Sequence, residues 1–380
     1  MKSSPSQFCA LSAALFGFIL PSLHAQTTAT TDPVGFVTVN LPGSTDCRTY
    51  IPFKRTPEYA GSIQSASGTN GSLLTAAGTP NFGNLVYSSP AQPKKYYILF
   101  TSGTKSGLYY SITANTTTSL TVDTAGDDLS GVASSTFQVI PYDTLNTIFP
   151  AGQGINASSG FGGSQRKTEI LIPDNTTAGT DLAAAKTYYY YSGVVGTGPG
   201  WRMLNSTGDT TTIVNDDILL PDSPLIVRQK VATGTSVTYM GTVHMGQTGT
   251  YIGTINTGTA QDNAVALPVA SDLTLAQTKL YESGGFMGST GASGSKRRDQ
   301  LLVWDNAVPG TDKAADRTYY YLTVTGPLGN PPGWRLLGDN TDTVCDNVTV
   351  VTSSTGLVIR KYSTGAPSSV LWTFKPPYVP

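Results

Sequence analysis

Two loops in this chain gather oxygen-bearing side chains around a glycine. Asp174-Asn175 to Gly179-Thr180-Asp181 and Asp305-Asn306 to Gly310-Thr311-Asp312 keep Asp, Asn, Gly, Thr and Asp at one spacing, while the three residues between them differ. Calcium takes six to eight such oxygens, so Asp174, Asp181, Asp305 and Asp312 are candidate Ca²⁺ ligands. The spacing is not the twelve-residue EF-hand loop. The competing and preferred reading is structural: Asp and Asn bond local backbone in turns, and Asp181 and Asp312 would cap short helices over 181–186 and 312–317.

A second constellation is aromatic. Tyr188-Tyr189-Tyr190-Tyr191 and Tyr319-Tyr320-Tyr321 are followed at similar distances by Gly200-Trp201-Arg202 and Gly333-Trp334-Arg335. Side chains alternate faces along a strand, so part of each run points away from a core. Exposed rings with polar tips would stack on sugars or meet another protein, which makes Tyr188, Tyr190, Trp201, Tyr319, Tyr321 and Trp334 the candidate ligand contacts. Core packing and cross-strand pairing would use the same residues. Arg202, Arg335, Arg228 and Arg360 are expected to stack on Trp or pair with a turn Asp.

Catalytic sets are sparse. Ser-His-Asp and Cys-His chemistry need a histidine base, and beyond the first 25 residues the chain holds only His244, inside an apparent strand. No His-Glu-x-x-His motif, phosphate loop or dinucleotide fingerprint occurs, so no catalytic residue is assigned. A glycosidase needs only two carboxylates, and Asp143, Glu169, Asp217 and Glu282 remain open for that role. Cys47 and Cys345 are the cysteines left after the leader; an even pair in an exported chain predicts a disulfide, with two buried thiols as the alternative.

The elements that would position these groups come from a duplication. Residues 163–190 and 294–321 lie 131 positions apart and agree at 15 of 28 positions. Leu225-Ile226-Val227-Arg228 then matches Leu357-Val358-Ile359-Arg360. Short β-branched and aromatic runs between Gly, Asn and Asp turns predict an all-β fold of tandem sandwich or barrel-like modules, with only minor helices. The expected organisation is a signal peptide over 1–25, a linker over 26–33, an N-terminal β module over 34–141, and repeats over 142–272 and 273–380.

Composition agrees. Charged residues are 12% of the 380, and only three of the acids are Glu. That is too little charge for exposed helices and too little basic density for nucleic acid. Lys2, the apolar run from Cys9 to Leu23 and Leu23-His24-Ala25 predict a secretory leader cleaved after Ala25, hence a periplasmic or extracellular protein. No later stretch is long and apolar enough for a transmembrane helix.

Asp32-Pro-Val-Gly-Phe-Val-Thr-Val-Asn40, Gly107-Leu-Tyr-Tyr-Ser-Ile-Thr-Ala-Asn115 and Val139-Ile-Pro-Tyr-Asp-Thr-Leu-Asn-Thr-Ile-Phe-Pro150, with the Tyr-run and Gly-Trp repeats, resemble a family of paralogous secreted bacterial proteins of similar length. That family has a signal peptide and no assigned activity. The resemblance implies export and carries no catalytic or binding residue across. The expectation is therefore a non-enzymatic surface, matrix or adhesion protein, with glycans or other surface proteins as partners. The alternatives are a carbohydrate-binding array and a carboxylate glycosidase.

Overall fold

The structure is a computed structural model that describes residues 32–83, 86–88, 95–204, 210–256, 258–352 and 355–379. The expected signal peptide lies outside the described residues. The fold is all-β, as expected: the described residues contain one α-helix, Leu145–Ile148, and three single 3₁₀ turns. The helix opens on Thr144, whose hydroxyl accepts from the Thr147 backbone N–H in a reciprocal capping box. The segments 181–186 and 312–317 are not the short helices expected from the sequence. Asp181 and Asp312 adopt left-handed φ values of 53° and 52°, and their side chains are engaged elsewhere, as described below.

Six strands close an antiparallel barrel in the order Tyr59–Ser67, Leu73–Ala76, Ser119–Val122, Tyr109–Asn115, Tyr96–Phe100 and Thr136–Pro141. Closure leaves no unpaired sheet edge. Leu74, Ile98, Phe100, Leu120, Phe137 and Val139 fill its interior, each no more than 1% exposed.

Each repeat forms a five-stranded antiparallel sheet. In copy one the order is Gly200–Met203, Lys186–Tyr191, Thr168–Ile172, Leu225–Gln229 and Thr45–Thr49. In copy two it is Gly333–Leu336, Arg317–Leu322, Gln300–Val303, Leu357–Lys361 and Gln261–Val265. A two-stranded ribbon accompanies each sheet: Val34–Leu41 with Thr235–Thr242, and Thr248–Thr254 with Ser368–Phe374. A short pair completes each copy, Asp143–Thr144 with Ile218–Leu219, and Leu273–Thr274 with Thr349–Val351.

Counted by pairing, the repeated unit begins earlier than the sequence identity does. The first ribbon strand and first sheet strand of copy one come from 34–49, upstream of the barrel. Their counterparts in copy two are Thr248–Thr254 and Gln261–Val265. The barrel is thus an insertion between the second strand of copy one and the remainder of that copy.

The two copies keep separate cores. Ile170, Trp201, Leu225, Val227 and Tyr239 anchor the first. Leu301, Trp334, Leu357, Ile359 and Trp372 anchor the second. Each fully buried side chain of this size contributes about 1.5–3 kcal/mol of apolar transfer.

Candidate functional site at the barrel–repeat junction

The aromatic candidates are core residues. Tyr188, Tyr190, Trp201, Tyr319 and Trp334 are at most 9% exposed. Register puts Tyr190 opposite Trp201 and Tyr321 opposite Trp334. Both pairs meet edge-to-face, at 5.7 and 5.6 Å between ring centres. The half-buried Tyr321 is stacked on Tyr281 at 3.6 Å. The expected sugar platform is therefore corrected: both faces of these sheets are covered, so the rings pack instead of meeting solvent. The arginine after each Trp ties down a loop. Arg202 donates to Thr197 Oγ1 and the Gly198 carbonyl, and Arg335 to Asp342 Oδ1 at 2.8 Å and the Pro331 carbonyl.

The Asp-Asn-Gly loops hold the two copies together by a reciprocal exchange. In one direction, Asn306 Nδ2 donates to the Arg48 carbonyl and the Arg48 N–H donates back to Asn306 Oδ1, both at 2.9 Å. The Asp46 N–H donates to the Gly310 carbonyl, and Arg228 clamps Asp46 at 2.8 Å while also reaching Asp312. In the other direction Asn175 exchanges the same two bonds with Ala264, at 2.8 Å. The Asp262 N–H donates to the Gly179 carbonyl, and Arg360 clamps Asp262 and reaches Asp181 at 2.9 Å. This is an isologous interface within one chain.

The carboxylates proposed for Ca²⁺ have these other partners. Asp181 and Asp312 meet arginines of the opposite sheet. Asp174 accepts from the Thr176 and Thr177 N–H groups, and Asp305 from the Ala307 N–H. Among the described residues no group of three or more His, Cys, Asp or Glu side chains is arranged to hold a metal ion.

The expected disulfide is also corrected. Cys47 and Cys345 are free, buried thiols. Each faces a different core, Cys47 that of copy one and Cys345 that of copy two. Burial pushes the Cys47 thiol up to about 11 and raises that of Cys345.

A concave surface lies where the barrel meets both copies. An open groove of about 600 Å³ is walled by barrel strand Tyr109–Asn115, the barrel turn 123–127, Leu220 and Asp222 of copy one and the Thr248–Thr254 strand of copy two. Gly107, at φ 87°, lets the two backbones approach: its carbonyl accepts from the Gly249 N–H at 3.2 Å, and a Cβ there would lie 2.6 Å from the Gln247 carbonyl oxygen.

Two carboxylates pin the groove's walls. Asp127 accepts from Tyr110 of the barrel at 2.5 Å, Tyr251 of copy two at 3.0 Å and Lys105 at 2.5 Å. Burial opposes its charge, but those three hydrogen bonds outweigh it and hold the carboxyl below the usual range. Asp222 accepts from Tyr109 at 2.6 Å and from Thr250 at 3.2 Å. Tyr251 keeps 45% of its surface exposed, and Asp123 is an exposed third carboxylate.

Behind the groove is a smaller, mostly apolar cavity of about 60 Å³. It shares Tyr109, Asp222, Gly249 and Thr250 with the groove. Asp143 lines it, and burial, only partly opposed by Arg55 and a hydrogen bond from Thr147, pushes that carboxyl up to about 6. His244 is buried on another wall, its Nε2 2.9 Å from the Gln247 carbonyl oxygen, and burial lowers its basicity.

Of the residues that line the groove and the adjoining cavity, Asp143 and His244 are legible in the sequence by their chemistry, and Tyr109 and Tyr110 only within a resemblance segment. The fold supplies a signal that the sequence offset of 131 does not: Asp143–Thr144 and Leu273–Thr274 open equivalent short strand pairs, so a carboxylate stands where the duplicate has a fully buried leucine. A broken local rule of this kind marks functional positions. Comparison with family models, with curated proteins and with solved structures returned no match for this chain.

Proposed function

We propose that this chain is an exported, non-enzymatic β protein that binds a neutral saccharide in the junction groove, in a surface or matrix role. The half-exposed ring of Tyr251 beside Asp123, Asp127 and Asp222 carries the reading. Sugars offer an apolar C–H face and an edge of hydroxyl donors, which suit an aromatic ring and carboxylate acceptors respectively. Among the described residues the groove wall holds three carboxylates and no Lys or Arg; Lys105 pairs with Asp127, which leaves two carboxylates in excess and a field that opposes anionic polymers. The test is a glycan array probed with the wild-type protein and Tyr251→Ala. We expect retention of neutral glycans and at least tenfold weaker retention by the variant. A blank array, or an unchanged variant, would sink the reading.

The glycosidase alternative draws on Asp143 and Asp222, which line one cavity. An acid with a raised pKa beside a second carboxylate is the pairing that chemistry uses. It predicts reducing ends released from a bound glycan and lost in Asp143→Asn.

A further inference from the structure

The cavity behind the groove is large for a close-packed interior, where voids wider than a water molecule are few. At about 60 Å³ it exceeds the roughly 10–15 Å³ that one water requires and falls short of the roughly 150 Å³ that admits benzene. Leu99, Leu219, Leu267, Trp372 and Phe374 make its wall largely apolar, a poor setting for water, which needs two to four polar partners. The exceptions include Asp143 and Asp222. Asp222 and Tyr109 stand on the wall shared with the groove, so the two concavities adjoin at those two side chains.

We propose that this cavity is the specificity pocket of the groove and takes the acetyl group of an acetylated saccharide. An acetyl is a methyl joined to a carbonyl, two or three heavy atoms beyond the sugar ring, which matches the volume. Its methyl would meet the apolar wall; the amide N–H of an N-acetyl group would donate to Asp143 or Asp222, and the carbonyl oxygen, an acceptor, would turn to the Lys54 ammonium on the same lining. The inference rests on the saccharide reading of the groove and adds the class of saccharide. It also accounts for Asp143, whose counterpart in the other short strand pair is Leu273: a fully apolar wall would leave the N–H of an N-acetyl group without an acceptor.

The test uses matched pairs of probes with the mature chain: chitotetraose against cellotetraose for N-acetyl, and acetylated against alkali-deacetylated xylotetraose for O-acetyl. Titration calorimetry is expected to show about tenfold tighter binding of the acetylated member of at least one pair. Ala266→Ile, which fills the cavity from one wall, is expected to equalise that pair while leaving the weaker affinity in place. Saturation-transfer NMR on the wild type reads the same point without a variant, and the acetyl methyl should receive the strongest saturation. Equal affinities within both pairs, or a weakly saturated methyl, overturn the acetyl pocket and leave the groove reading standing. Failure of all four probes to bind overturns both.

Discussion

The two copies of the module share their wiring and differ in what lies against them. Both bury a Trp opposite a Tyr, both clamp an Asp with an Arg, and each offers the other the same loop. Their ribbons diverge. In copy two the outer face meets the barrel: Leu371 packs on the barrel core and Gly249 bonds Gly107. In copy one the outer face is bare, with Phe36 opposite Met240 and 76% and 74% exposed. The lesson is that symmetry built the scaffold, whereas the groove lies where symmetry fails. It needs the inserted barrel, which copy two lacks, and its cavity holds Asp143 where copy two has Leu273.

Three measurements would break or sharpen that comparison. The largest effect concerns the buried tryptophans. Trp201→Ala and Trp334→Ala are each expected to lose about 4 kcal/mol, since both side chains are at most 1% exposed. Chemical denaturation reads both, and a twofold disparity would show that the copies do not carry equal structural weight. Next come the clamps. Arg228→Ala and Arg360→Ala should each cost about 2–3 kcal/mol, because each strands a largely buried Asp. Asp312→Ala, at a side chain 79% exposed, should cost about 0.5 kcal/mol or less. An equal loss at Asp312 would mean that the exchange, not the clamp within each sheet, carries the energy.

A third effect, smaller than the loss of a clamp, separates the copies by pH. The folded pKa of Asp143, about 6, lies above its ordinary 3.8. Its contribution is thus fully present below about pH 3.8 and is lost as pH rises through 6. Asp143→Asn removes that loss, so the variant should gain about 1–2 kcal/mol on the wild type between pH 4 and pH 7. Denaturation midpoints across that range check it, and a difference that stays flat with pH would place the carboxyl in contact with solvent.

The fold class was legible because period-two runs and turn residues are local signals. The Tyr runs between Gly and Asp turns could be little else than strands. The duplication was legible in the loops and strands that both copies use alike. Its true start was not, because Thr45–Thr49 and Gln261–Val265 do the same job with different residues: Cys47 and Arg48 stand where Asn263 and Ala264 stand. The recurrence of the Asp-Asn-Gly loops makes them stand out in the sequence, and Asp174 does bond the backbone of its own turn. No local signal shows that Asp181 would meet Arg360, 179 residues away. The aromatic candidates failed because alternation says which side chains share a face, not whether that face is covered. Tyr251, in the groove, lies in an ordinary Thr-Gly-Thr-Tyr-Ile stretch that nothing distinguishes before folding.

The inserted barrel also sets the order in which this chain can pair. Barrel strands all fall within 59–141 and can close as soon as that stretch is made. The first two strands of copy one come earlier, yet their partners extend to Thr242. At a synthesis rate of roughly 5–20 residues per second, the strands made first wait about 10–40 s to be paired. Throughout that delay they present open edges, with Val34 and Phe36 among their side chains, the kind of segment that associates with its own copies. For a chain built this way, delivery unfolded and in one piece is safer than slow emergence from the ribosome, since it lets the earliest strands and their latest partners appear together.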